Sequence, residues 1–133
     1  MYVPAAYQED DLATLVAFMQ ANSFATLVSV IDGAPFASHV PLVVGAAGET
    51  VTISGHLAKA NPQAEALAAG EALAIFTGPH AYVSPANYDR RENVPTWNYI
   101  AVHATGRPRL IRHADEPALL AALVEAMIAA YEP

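Results

Sequence analysis

The chain has 133 residues, 54% hydrophobic and 14% charged, enough apolar material for a packed core and too little charge for a disordered chain. Six Lys and Arg stand against 13 Asp and Glu, and the resulting charge of -7 repels a phosphate backbone, which argues against direct DNA or RNA binding. The absence of cysteine excludes disulfides, thiolate metal sites and a cysteine nucleophile. No apolar run reaches the ~18–20 residues of a membrane span and nothing resembles a signal peptide, so one cytoplasmic domain over residues 1–133 is expected.

Gln8 to Ala21 reads as a helix, with Leu12, Leu15, Val16 and Met19 on one stripe and Glu9, Asp10 and Asp11 at the positive end of its dipole. Phe24 to Ile31 is a β-branched strand run, and Asp32-Gly33 is a hairpin signal. The return strand spans about Pro35 to Val44. Alternation sets Phe36, Ser38, Val40, Leu42 and Val44 on one face and Ala37, His39, Pro41 and Val43 on the other. Pro41 cannot donate to a ladder, so this strand lies at an edge or bulges near His39. After a turn at Gly45 to Glu49, Thr50 to Gly55 reads as a strand.

Asn61 is a good N-cap and Pro62 a good first residue for a short helix to Ala69. Ala72 to Thr77 is a strand, Gly78-Pro79 a turn, and His80 to Ser84 a further strand. Pro85 to Pro95 is a loop. Thr96 to Thr105 and Arg107 to His113 read as two strands joined at Gly106, and Asp115 caps a last helix to about Tyr131. Its buried side holds Leu119, Leu120, Leu123, Val124, Met127 and Ile128. Six or seven short strands with flanking helices predict a mainly β, α+β fold, a closed or nearly closed antiparallel barrel. A barrel this small has a filled interior, so a large ligand sits outside it, at a subunit interface.

Three segments carry polar chemistry. In His56-Leu-Ala-Lys59-Ala-Asn61-Pro62, the chain's only lysine precedes a helix start, a setting for a phosphate or for an ordinary capped helix. On one strand face, Trp97, Tyr99, Ala101 and His103 offer rings that stack on a planar ligand, form a subunit contact, or pack against a helix. Gly78-Pro-His80-Ala-Tyr82-Val-Ser84-Pro85 reads as a strand rim with satisfied polar groups. The five histidines, at 39, 56, 80, 103 and 113, lack ligand spacing on one element, so no metal site is expected. No Gly-x-Ser-x-Gly, Gly-x-Gly-x-x-Gly or Walker loop occurs.

Met1-Tyr-Val-Pro4, Asn22-Ser-Phe-Ala-Thr-Leu-Val28, Pro35-Phe-Ala-Ser-His39, His56-Leu-Ala-Lys-Ala-Asn-Pro62, Gly78-Pro-His-Ala-Tyr-Val-Ser-Pro85 and Val94-Pro-Thr-Trp-Asn-Tyr99 stand in the order found in one family. In these blocks the chain resembles the PaiB-like FMN-binding negative transcriptional regulators. The resemblance implies an FMN-binding split barrel, a homodimer with the cofactor at its interface, and a C-terminus shorter than the family's. It implies that Ser38, His39, Val40 and Pro41 run along the isoalloxazine, that Ser54 and His56 approach from beside it, and that Lys59 and Asn61 hold the phosphate. Trp97 would reach the ring from the partner subunit. Related oxidases use several basic residues at the phosphate, whereas Lys59 stands alone here, helped at most by His56. The implied role is a flavin-dependent redox or metabolite-sensing regulator. The alternatives are a small FMN-dependent flavin reductase or oxidase and a haem-binding barrel.

Overall fold

The computed structural model describes every residue except Arg91, His113 and Pro133. Among the described residues, five antiparallel strands form one sheet in the order β3-β2-β1-β4-β5. They are β1 (Phe24–Ile31), β2 (Ala34–Ala47), β3 (Thr50–Gly55), β4 (Ala72–Val83) and β5 (Thr96–Gly106), accompanied by helices α1 (Leu12–Ala21), α2 (Gln63–Ala69) and α3 (Pro117–Tyr131).

Period-two alternation gives the sheet two unlike faces. Ala25, Val40, Leu42, Val44, Ala74 and Phe76 point one way and form the core with Val16 and Met19 of α1. The stripe expected on α1 is therefore the one buried, although the helix starts four residues later than its acidic run suggests. Asp11 is the reason: its carboxylate accepts the Thr14 N–H at 2.8 Å and the Thr14 hydroxyl at 2.7 Å. It is the N-cap, so Glu9 and Asp10 lie outside the helix.

The β1–β2 hairpin turns at Asp32 and Gly33, both with positive φ (51° and 79°), the pattern of a type I′ turn that matches the strands' twist. The turn after β2 is shorter than expected, because pairing with β3 carries the strand on to Ala47. Two further expectations need correcting. Gly78-Pro79 is not a turn between strands. β4 runs straight through it with a bulge between Thr77 and His80, where the bare Cα of Gly78 lets the Phe18 ring approach; a Cβ there would lie 2.8 Å from that ring. Arg107 to Arg112 forms no strand, and His113, the expected end of it, lies outside the described residues. Pro108 has no N–H to give a ladder, and the arginines instead pair with surface acids, Arg107 with Glu71, Arg109 with Glu116 and Arg112 with Glu65. The predicted six or seven strands reduce to five for these two reasons.

α3 begins at Pro117 behind Glu116, and Asp115 does not cap it. Met127 is its buried residue, while Val124 and Ile128 stay roughly half exposed. The Tyr131 hydroxyl donates to Ser23 Oγ at 2.6 Å and to the Leu42 carbonyl at 3.2 Å, tying the helix end to the start of β1 and to β2. No described helix is long and apolar enough to cross a membrane.

Candidate functional site

Strand β2 has two halves. Ala34 to Pro41 pairs with β1, and Leu42 to Ala47 pairs with β3. Along the first half, the side turned away from β1 therefore meets no strand among the described residues. Bonded and non-bonded pairs alternate in an antiparallel ladder. Because the Leu42 N–H bonds the Ser23 carbonyl at 2.9 Å, the residues whose backbone groups face the open side are Pro41, His39, Ala37 and Pro35. The two prolines have no N–H, which blunts the edge against another strand. The N–H and C=O of Ala37 and His39 are left as a short row of donors and acceptors.

The chain that leaves β3 runs from His56 to Asn61. Gly55 closes the strand tightly against β2: a Cβ there would lie 2.6 Å from Leu42 Cδ2, which would have to turn aside, and 3.3 Å from the Pro41 carbonyl. Ala58 to Asn61 then closes a turn through an Asn61 N–H to Ala58 carbonyl bond of 2.8 Å, which puts Lys59 and Ala60 at its tip. Asn61 ties this turn to the sheet: its Nδ2 donates to Ser38 Oγ at 2.9 Å and its Oδ1 accepts the Gln63 N–H at 2.9 Å. The expected N-cap bond is made, one residue ahead of Pro62, which occupies the cap position itself. With α2 only seven residues long, its dipole adds little, and the cation is the main attraction for an anion.

The nine residues singled out from the sequence divide accordingly. Ser38 faces the core side and is bonded by Asn61. His39 is exposed on the open side; its Nδ1 lies 3.1 Å from Thr26 Oγ1, and its ring stacks at 6.4 Å on Phe24. Val40 is 7% exposed and bonds β1, so it supports the edge and offers a ligand nothing. Pro41 is half-buried, and Ser54, opposite Val43, shares the face of His39 and Pro41. His56 is exposed and its Nδ1 approaches Met127 Sδ at 3.3 Å. Lys59 is exposed and enters none of the ion pairs among the described residues, so its charge is free for an outside anion. Asn61 is thus joined to Ser38 on the core side, His39, Pro41 and Ser54 share the opposite face of the sheet, and His56 and Lys59 lie on the exposed chain that leaves β3.

Trp97 is elsewhere. Beyond the bulge, β4 and β5 run on as a ribbon, pairing His80 with Tyr99 and Tyr82 with Trp97. The Trp97 ring lies 5.9 Å from His80 and 5.9 Å from Tyr82. This trio is the platform that sequence reasoning split in two, having read His80 to Ser84 as a bland rim. The paired registers of two aromatic runs were the signal. Sequence reasoning also missed Gln63, wholly buried at 0% exposure, which shares the inner face of α2 with Leu67 four residues on.

Known proteins are similar to this chain. Residues 1–133 match the family model described as "Putative FMN-binding domain". The chain is 41% identical over 112 residues to "Protease synthase and sporulation protein PAI 2" of Bacillus subtilis, covering 84% of this chain and 54% of that protein. It is 39% identical over 62 residues to "Uncharacterized protein YKL070W" of Saccharomyces cerevisiae, covering 43% of this chain and 37% of that one. The chain therefore spans about half the length of the first relative and about a third of the second. In structure it is similar to the flavocytochrome Anf3 of Azotobacter vinelandii, with a TM-score of 0.63, 20% identity, and coverage of 94% of this chain and 56% of that one. That likeness concerns the α+β fold. The match over the full chain places this protein in the FMN-binding domain family, with the PaiB-like proteins and with flavin mononucleotide as its cofactor.

Proposed function

We propose that the chain is the flavin-holding protomer of a split-barrel homodimer, a cytoplasmic regulator that senses redox state or a metabolite and acts through partner proteins. The open half of β2 beside the Lys59 turn is the observation that carries the reading. An isoalloxazine has a pyrimidine edge of alternating donors and acceptors, and Ala37 and His39 face it with the complementary row. A phosphate at the other end of the cofactor meets the free ammonium of Lys59, with His56 beside it. FMN supplies one- and two-electron redox chemistry, and the protein supplies position and electrostatics.

The second copy follows from the ribbon. A two-stranded ribbon is marginally stable alone, yet this one exposes Tyr82, Trp97 and Tyr99 by 53%, 58% and 59%. Phe24 and Val30 of the same sheet face are 69% and 61% exposed. Aromatic-rich patches of this kind mark interfaces, and a twofold partner covers them while laying its Trp97 against the flavin. The charge of -7 leaves regulation to protein partners instead of direct contact with DNA.

Titrating FMN while following flavin fluorescence tests the site. Lys59→Ala is expected to weaken binding by about tenfold, since a charge-assisted hydrogen bond contributes ~1.5–3 kcal/mol; an unchanged affinity puts the phosphate elsewhere. Sedimentation at several concentrations tests the dimer, and a monomer at all of them removes the partner from the site.

A further inference from the structure

Gln63 is a polar residue in an apolar position. It is 0% exposed, and a leucine or methionine there would pack with no unmet polar atom. Its Nε2 donates to the Leu27 carbonyl at 2.8 Å and to the Phe36 carbonyl at 3.1 Å. Its Oε1 has no hydrogen-bond partner among the described residues, and neither has the buried Ser29 hydroxyl of the same sheet face. An unmet buried acceptor opposes folding, so the amide is not there for stability alone.

Its position indicates the return on that cost. Leu27 pairs with Ser38, and Ser29 pairs with Phe36. The two carbonyls flank the wide, non-bonded pair of Val28 and Ala37. The Gln63 amide thus enters the β1–β2 ladder from the core side, directly behind Ala37, whose backbone faces the open edge. Two residues earlier, Asn61 grips Ser38 from the same loop. Leu27, Phe36 and Ser38 are thereby fastened to the segment that presents His56 and Lys59.

We propose that Asn61 and Gln63 form a clamp that holds the Lys59 turn at a fixed distance from the β2 edge. Both are positioning residues: they act on a ligand through the loop and the strand. The proposal rests on the flavin reading for its ligand, though the clamp itself stands independently of it.

Gln63→Met keeps length and apolar volume and deletes the two bonds. In the full chain, amide hydrogen exchange of residues 56–62 is expected to quicken by about tenfold while the β1 and β2 amides keep their rates. FMN affinity should fall by about tenfold, and Lys59→Ala should then cost much less on the Gln63→Met background than on the wild type. Unchanged loop exchange, or acceleration spread evenly over β1 and β2, overturns the clamp, because the residue would then be ordinary core. Unchanged FMN affinity with a loosened loop overturns its link to ligand binding. A wild-type chain that binds no FMN defeats the flavin reading, and the exchange rates still decide the clamp. Should Gln63→Met fail to fold, Asn61→Ala takes its place with the same outcomes.

Discussion

The inner half of β4 and the ribbon beyond its bulge use the same alternation to opposite ends. From Ala72 to Phe76 every second side chain is buried, down to 0% exposure at Phe76. From His80 to Tyr82, with Trp97 and Tyr99 across the ladder, every second side chain is a ring facing out. The first stretch finds its cover within the chain, in α1 and β2. The second has strand pairing and no such cover. Hydrophobic patterning reports which face is apolar, and only topology reports whether the chain itself covers it.

Removing the largest fully buried ring gives the largest expected effect on stability. Phe76→Ala deletes an aromatic side chain from the centre of the cluster and should cost about 3–5 kcal/mol in urea or thermal unfolding. A loss under about 1 kcal/mol would mean that the cluster is not the folding core.

Trp97→Ala, on the other side of the comparison, should barely move unfolding of the isolated protomer, because the ring is 58% exposed. Under the proposed dimer it removes an interface anchor worth about 2 kcal/mol or more, a roughly thirtyfold weaker association. Sedimentation velocity of wild type and variant at matched concentrations separates the two effects. A large drop in protomer stability with unchanged association would assign Trp97 to packing of the ribbon.

These two regions also explain what the sequence made legible. β1, β3 and both faces of β2 followed from alternation and from Asp32-Gly33, because short-range stereochemistry decides them. The Asn61 cap bond was legible for a similar reason, since a strand end, a lone lysine and a helix start lie close together in the chain. What stayed hidden depended on long-range pairing. Gly78-Pro79 looks like a turn unless Phe18, sixty residues earlier, is known to press on it. Gln63 looks like a surface glutamine until β1 and β2 supply its two carbonyls. Arg107 to Arg112 has strand-like apolar residues, and Pro108 with three ion pairs outweighed them.

The bulge is the hinge between the two halves of β4, and it offers an intermediate effect. Gly78→Ala places a methyl 2.8 Å from the Phe18 ring, so the ring, helix α1 or the bulge must give way. Overpacking of this kind should cost about 1–2 kcal/mol. Pairing it with Phe18→Leu, which vacates the contact, should recover part of the loss in a double-mutant cycle. Strictly additive losses would show that the glycine serves the ribbon's backbone path and not the helix contact.

The smallest effect belongs to the cap of α1, the helix that carries Phe18. The Thr14 hydroxyl, and with it the Thr14 N–H, holds the Asp11 carboxyl below its ordinary value. A carboxyl lowered by folding binds its proton less readily in the native state than in the unfolded one. Its contribution is therefore complete above the ordinary carboxylate range and lost as pH falls through the lowered value. Asn caps a helix about as well as Asp, so Asp11→Asn should leave thermal stability near neutral pH almost unchanged. On the acid side the variant's stability should fall less steeply than the wild type's, the two melting temperatures drawing apart as Asp11 protonates. The group is fully exposed, so added salt should shrink the difference. Parallel acid limbs for wild type and variant would mean that Thr14 binds the carboxylic acid as well as it binds the carboxylate, and that the charge at the start of α1 contributes nothing to the stability of the helix.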